Sequence, residues 1–493
     1  MHVQTLHAQA MDDIGHRRSP RPATRWLRRL AGFVAGGVLA AMAPHVARAH
    51  DFDLAAAASA EPAAASAPAG DTVTLFENVR IFDGRGAALS PPSNVLVRGN
   101  RIERIATDPI EVAPGDDTVV IPGGGRVLMP GLIDAHWHAF MAATPQGLLL
   151  TAEPQYLSML AARQAEATLM RGFTTIRDLG GPVTGLKRAI DEGVMTGPRI
   201  YPSGAFISQT SGHGDFRSRS ELPRQPGGPL SVSEREGIAA IADSPDEVRL
   251  RVREQLRQSA SQIKLMASGG VSSPPHNPIQ SIQFTDAELR AAVEAAADWG
   301  TYVTVHAYTP RAMQRAVHAG VQCIDHGQLM DEETAKLLAE KGVWLSIQPL
   351  LDDDDIPALS PDSMERAHQV FAGTDNAYRL AKKYGIKTAF GSDALFDARI
   401  ASQQGRQLVK LQKWYTPAEA LKMATSDNAE LLALSGFINP YPGKLGRVEE
   451  GALADLLLVD GDPLENLALI EDPETNLVVI MKDGLIYKDT LPE

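Results

Sequence analysis

The chain has 493 residues, 44% hydrophobic and 22% charged, with a formal net charge of −13. That length exceeds one small core and points to two structural units, while an acidic balance without a basic stripe excludes nucleic acid as a partner. The single cysteine, Cys323, excludes an internal disulfide and a multi-thiolate zinc site, so any metal must be held by histidines, carboxylates or a less usual ligand.

In chain order, Arg25, Arg28 and Arg29 precede the apolar stretch "LAGFVAGGVLAAMA", and Ala47-Arg48-Ala49 supplies a small-x-small cleavage pattern. Residues 1–49 therefore read as a signal peptide, because the apolar core falls short of the ~20 residues that a membrane crossing needs. Export to the periplasm or medium follows, by the general or the twin-arginine route, with no stable membrane association after cleavage. Removing that segment, with its seven arginines and two aspartates, takes the net charge to −18. Residues 50–70, rich in Ala, Pro and Ser, read as a flexible linker.

Residues 71–129 break into short strand-like pieces such as "TVTLFENVRIFDG" and "SNVLVRGNRIERIA", and residues 439–493 read the same way. Two β-rich ends around a different middle predict one small β-sandwich domain built from both termini. Between them, residues 130–438 alternate strands with helices. Eight strands are expected, at 131–136, 173–178, 199–204, 262–267, 302–306, 321–326, 343–347 and 387–393. Helices lie between, one opening on a Thr285/Glu288 capping box and another on Thr416-Pro417. The expected class is α/β, a (β/α)8 TIM barrel. Two long connections, 208–236 and 349–366, are expected to shape the substrate mouth.

"PGLIDAHWH", residues 130–138, places His136 and His138 two apart on a strand, where i and i+2 share a face about 6.6 Å apart. Both imidazoles can then serve one metal ion. In a barrel the chemistry sits at the C-terminal strand ends, and the residues there are His136, His138, Lys264, His306, His326 and Asp393. Nine histidines follow residue 49, and four of them fall on these few positions.

"PGLIDAHWH", "QIKLMASGG", "TVHAY", "CIDHG" and "FGSDA", in this order and spacing, resemble the metal-dependent amidohydrolase superfamily. The lysine on the fourth strand resembles the subgroup with a carboxylated-lysine bridge, and "KLMASGGVSSP" with "TDAEL" and "HAY" is similar to its dipeptidase and carboxypeptidase branch. That branch includes prolidase-like and ochratoxin-hydrolysing enzymes. The resemblance implies two divalent metal ions, zinc foremost. It assigns His136, His138 and Asp393 to the first, His306 and His326 to the second, and a carbamate formed from CO2 on Lys264 to both. Burial supports the carbamate, since it lowers an amine's pKa and frees the neutral form. A hydroxide shared by the ions is the implied nucleophile. Asp393 is the implied proton shuttle, with Tyr308 and His213 as further catalytic groups and Tyr308, His213 and Arg217 as substrate contacts.

The expected reaction is hydrolysis of the amide bond to a C-terminal amino acid in dipeptides or N-acyl amino acids, ochratoxin-type N-aroyl phenylalanine included. A homo-oligomer, as large as the octamers of that branch, is expected. Lactone or ester hydrolysis on the same centre stays open as the alternative. A deaminase would need a glutamate just past His306, which "HAYTPRAM" lacks, and an inactive scaffold would have lost ligands that this chain keeps. Arg177 and Asp178 are read as support for the ligands, His276 and His318 as structural, and "DDDD" (352–355) as a solvated lid face.

Overall fold

The computed structural model describes residues 72–113, 117–221, 223–274, 277–357 and 359–492. The expected signal peptide, the linker and His276 lie outside them. The fold is mixed α/β, and no helix of the described residues is long and apolar enough to cross a membrane.

The two ends of the chain share one sheet. Strands β1 (Val73–Ile81), β2 (Ser93–Arg98), β3 (Arg101–Ala106), β4 (Thr118–Pro122) and β5 (Val127–Pro130) come from the N-terminal side. In the middle segment follow β6 (Leu132–Trp137), β7 (Phe173–Asp178), β8 (Arg199–Pro202), β9 (Phe206–Ser208), β10 (Ala239–Ile241), β11 (Ile263–Met266), β12 (Val303–Ala307), β13 (Cys323–His326), β14 (Trp344–Ile347) and β15 (Thr388–Phe390). From the far end come β16 (Leu456–Val459), β17 (Leu477–Lys482) and β18 (Leu485–Asp489). The terminal sheet runs β18-β17-β16-β5-β1-β2-β3, with β4 on β1, and β5 pairs antiparallel with β16. Arg199 fastens it to the middle segment, holding Asp455 through Nε at 2.8 Å and Asp483 through Nη2 at 2.6 Å.

Every residue of β6, β7, β11, β12, β13 and β14 is buried, as expected of parallel strands covered on both faces. All eight expected middle strands are present. The third is broken: its first half, β8, pairs with β7, and its second half, β9, pairs with β11 and with the short β10. Gly204, at φ +69°, lies in the break. The last strand lies beside the first. Asn428 donates to the carbonyls of Ile133 (2.7 Å) and Phe390 (2.8 Å), and the Asp393 N–H donates to the His136 carbonyl (2.9 Å).

The helix Asp286–Ala297 has the expected Thr285/Glu288 capping box, and Pro417–Lys422 is capped by Thr416 and Glu419. The loop expected over 349–366 is shorter, because the helix Pro361–Tyr384 starts within it. Ser360 caps that helix and Pro361 fills its first position, where no N–H partner is needed.

Candidate active site

Residues from the C-terminal ends of the middle strands line one cavity of about 760 Å³. His136, His138, Lys264, His306, His326, Asp393, Tyr308, His213 and Arg217 all border it. Both long connections also contribute, the first through His213 and Arg217 among others and the second through Pro349, Leu350 and Ser360, with the helix that follows.

Four of the six expected ligands meet closely. Asp393 Oδ1 lies 3.3 Å from His136 Nε2 and 3.4 Å from His138 Nε2, and Asp393 Oδ2 lies 3.9 Å from His326 Nδ1. Ligand atoms of His136, His326 and Asp393 all fall within 4.8 Å of one another, a group that could hold a metal ion. His306 stands beside them, its ring 4.4 Å from that of His326, with Nε2 donating to the Gly269 carbonyl (3.1 Å). Lys264 turns to Asp325, with Nζ 2.6 Å from Oδ2. The structure thus holds this lysine in an ion pair.

Burial pushes the pKa of His136 and His306 well below the ordinary histidine value, that of His326 to about 4 and that of His213 to about 3. These rings are neutral at neutral pH. Asp393 Oδ1 meanwhile is buried without a hydrogen-bond partner among the described residues. A carboxylate oxygen facing imidazole rings, out of water and with no hydrogen-bond donor, is electrostatically incomplete, and a divalent cation fits it.

Backbone strain sits at the same place. His326 (φ 80°) and Asp393 (φ 48°) adopt the left-handed region, which is costly for residues with a Cβ. Asp393 lies three residues past the end of β15 rather than on it. Glycine makes room nearby: a Cβ at Gly270 would lie 2.6 Å from His213 Cε1 and 2.7 Å from His306 Cε1.

Several supporting residues escaped the sequence reading. Asp325 accepts from Lys264, from Arg177 Nη2 (2.8 Å) and from Thr304 Oγ1 (2.7 Å). Gln348 ties two rings together, accepting from His326 Nδ1 (2.7 Å) and donating to His136 Nδ1 (3.3 Å). Arg177 and Asp178 do act behind the histidines. Arg177 also donates to the Ala135 carbonyl, and Asp178 accepts from the N–H groups of Ala139 (2.7 Å) and Gly180 (3.2 Å), fixing the turn after His138.

Tyr308 stacks on His326 at 4.8 Å, and His213 stacks on His306 at 4.1 Å. Arg217 borders the cavity with its guanidinium bridged to Asp215, Nε to Oδ1 at 2.7 Å. His318 is exposed at the end of the helix Pro310–His318. The tract "DDDD" is only half solvated. Asp352 and Asp354 are exposed, whereas Asp353 and Asp355 turn inward onto the half-buried Lys410 at 2.8 and 2.7 Å and neutralise it.

The Amidohydrolase family profile matches residues 127–486. The ochratoxinase of Aspergillus niger is 32% identical over 384 residues, which cover 73% of this chain and 76% of that protein. The crystal structure of an amidohydrolase matches with a TM-score of 0.77 and 35% identity, over 85% of this chain and 100% of the other. That of a prolidase complexed with N-methylphosphonate-L-proline matches with a TM-score of 0.77 and 34% identity, over the same shares. With a family match over most of its length, and with a histidine and carboxylate cluster at the mouth of its strands, the chain belongs to the amidohydrolase family and is a hydrolase.

Proposed function

We propose that this protein hydrolyses the amide bond to a C-terminal amino acid in dipeptides or N-acyl amino acids, N-aroyl phenylalanines of the ochratoxin type among them. The observation that carries the reading is Asp393 Oδ1, buried among the imidazoles of His136 and His138 with no hydrogen-bond partner among the described residues. The substrate class draws support from the ochratoxinase and from the prolidase with its proline-derived ligand.

His136, His138 and Asp393 would hold one divalent cation and His306 with His326 a second, zinc suiting such ligands, with a carbamate on Lys264 between them. Ions held there supply Lewis acidity to an amide carbonyl and lower the pKa of water. Asp393 takes the proton as water adds to the carbonyl and returns it to the departing amine. Burial keeps the Tyr308 phenol protonated, so it can donate to the carbonyl oxygen as charge develops. His213, Tyr308 and Arg217 border the space into which the substrate carboxylate would enter.

The same reading takes the eight parallel strands as a closed (β/α)8 barrel over 130–438 and the terminal sheet as a β-sandwich of 71–129 and 439–493. Export behind residues 1–49 and assembly into a homo-oligomer, up to an octamer, belong to it as well. N-terminal sequencing from the native host and sedimentation test these two.

The deciding assay compares N-benzoyl-phenylalanine with its C-terminal amide, with metal content measured alongside. A much higher kcat/KM for the acid is expected. Equal values would replace the carboxypeptidase-like reading with a general amidase, and faster cleavage of the matching ester would favour an esterase.

A further inference from the structure

Among the described residues, four lysines and arginines border the cavity: Arg217, Lys264, Arg366 and Lys410. Three are neutralised by carboxylates, namely Arg217 by Asp215, Lys264 by Asp325 and Lys410 by Asp353 and Asp355. Arg366 is different. It is only 8% exposed, and among the described residues no carboxylate lies within ion-pair distance of it. Its Nε and Nη2 donate to the Val271 carbonyl at 3.1 and 3.0 Å, and Nη2 also to the Ser273 carbonyl and to Ser363 Oγ, both at 3.1 Å. All these acceptors are neutral. Nη1 makes no hydrogen bond among the described residues. Asp362 and Glu365 on the same helix act on it through space without forming an ion pair, so a largely buried guanidinium with only neutral hydrogen-bond partners is poised for an anion.

Its position relative to the reacting groups follows from the turn it grips. Ser273 Oγ lies 2.8 Å from His213 Nδ1 and accepts from the Gly270 N–H at 2.7 Å. Gly270 in turn leaves no space between itself and the rings of His213 and His306. Arg366 therefore stands just behind the imidazole wall, on the helix Pro361–Tyr384. Val271 and Leu350 pack with Tyr308 beside it, and Phe371 borders the same cavity.

We propose that Arg366, through Nη1, receives the carboxylate of the substrate's C-terminal amino acid, while Val271, Leu350 and Phe371 receive an apolar side chain on that residue. Arg217 is excluded from this role by Asp215, which already occupies its fork. The assignment rests on the reaction proposed above and names the residue that makes it selective for a terminal acid.

The test measures kcat/KM for N-benzoyl-phenylalanine and for its C-terminal amide in wild type, Arg366→Met, Arg366→Lys and Arg217→Met. Arg366→Met should lower the acid-over-amide ratio by roughly 10- to 100-fold, the scale of a lost charge-assisted pair. Arg366→Lys, which keeps the charge without the fork, should fall between. An equal loss on both substrates would mean that Arg366 only braces the turn, and would overturn the proposal. So would a ratio that falls in Arg217→Met and not in Arg366→Met. If Arg366→Met does not fold, an unchanged ratio in Arg366→Lys overturns it and a lowered one supports it. A wild type that cleaves acid and amide equally, or neither, defeats the carboxyl-terminal reading itself, and is told apart by failing before any variant is made.

Discussion

Lys264 Nζ lies 2.6 Å from Asp325 Oδ2, where neither side chain reaches water. Burial alone would raise the Asp325 carboxyl's pKa, but the charges of Lys264 and Arg177 bring it below its usual value. Burial lowers that of Lys264, against the pull of Asp325. The carboxylate thus has two cationic partners. Arg177, which cannot lose its proton, would hold Asp325 alone if the lysine amine turned neutral and added CO2, as the proposed carbamate requires.

Replacing the lysine tests this. Lys264→Ala should lose activity and at least one metal ion per chain by elemental analysis, and short carboxylic acids should restore part of both. A metal-replete, fully active Lys264→Ala would show that the Asp325 ion pair is the whole of its role.

Asp393→Asn keeps the size of the side chain and removes the base. Turnover should fall by roughly 10²–10⁴, the scale of a lost general acid/base, with little change in KM. Metal content measured on the same sample separates a lost proton shuttle from a lost ligand. An unchanged turnover number removes Asp393 from proton transfer.

Gly270→Ala places a methyl group against His213 and His306. Overpacking of this kind costs about 1–3 kcal/mol. The rings must move as well, so activity should fall further than stability. Thermal unfolding and kcat on one preparation check both, and a variant with wild-type values would mean that the turn 270–273 yields easily.

Asp455→Asn should destabilise the protein by about 3–5 kcal/mol, because it leaves the buried Arg199 with only the half-exposed Asp483. The measurement is the denaturant midpoint. Metal content should stay at the wild-type value, since Arg199 opens β8 at its N-terminal end, away from the C-terminal strand ends that carry the site, and Asp455 and Asp483 adjoin strands of the terminal sheet. A shift below 1 kcal/mol would mean that Asp483 suffices.

The strand-end histidines are readable in the sequence because period-two spacing and strand order decide where they point. Asp325 is not readable by that logic. Next to His326 on one strand, it should face the opposite way, but the left-handed backbone at His326 breaks the alternation and both side chains turn inward. Gln348 sits in the segment "QPLL", where the apolar neighbours draw attention away from the amide that joins two rings. Arg366 reads as the end of a loop only if Ser360-Pro361, a helix start, is passed over. The broken third strand is hidden because Pro202 and Gly204 also fit an ordinary strand end. The inward aspartates of "DDDD" depend on Lys410, a partner far along the chain that local composition does not reveal.

The pairing of β5 with β16, Leu128 opposite Leu458, also sets an order of events in biosynthesis. β1 to β5 leave the ribosome early and have no neighbour for their open edge until the whole middle segment and β16 have followed. During that interval the edge of β5 is a sticky strand, available to other nascent chains. Contacts so distant in sequence form slowly. Yield in a foreign host should therefore depend on holdase chaperones and on growth temperature more than the native stability would suggest, and truncation within β16–β18 should yield aggregates instead of a shortened enzyme.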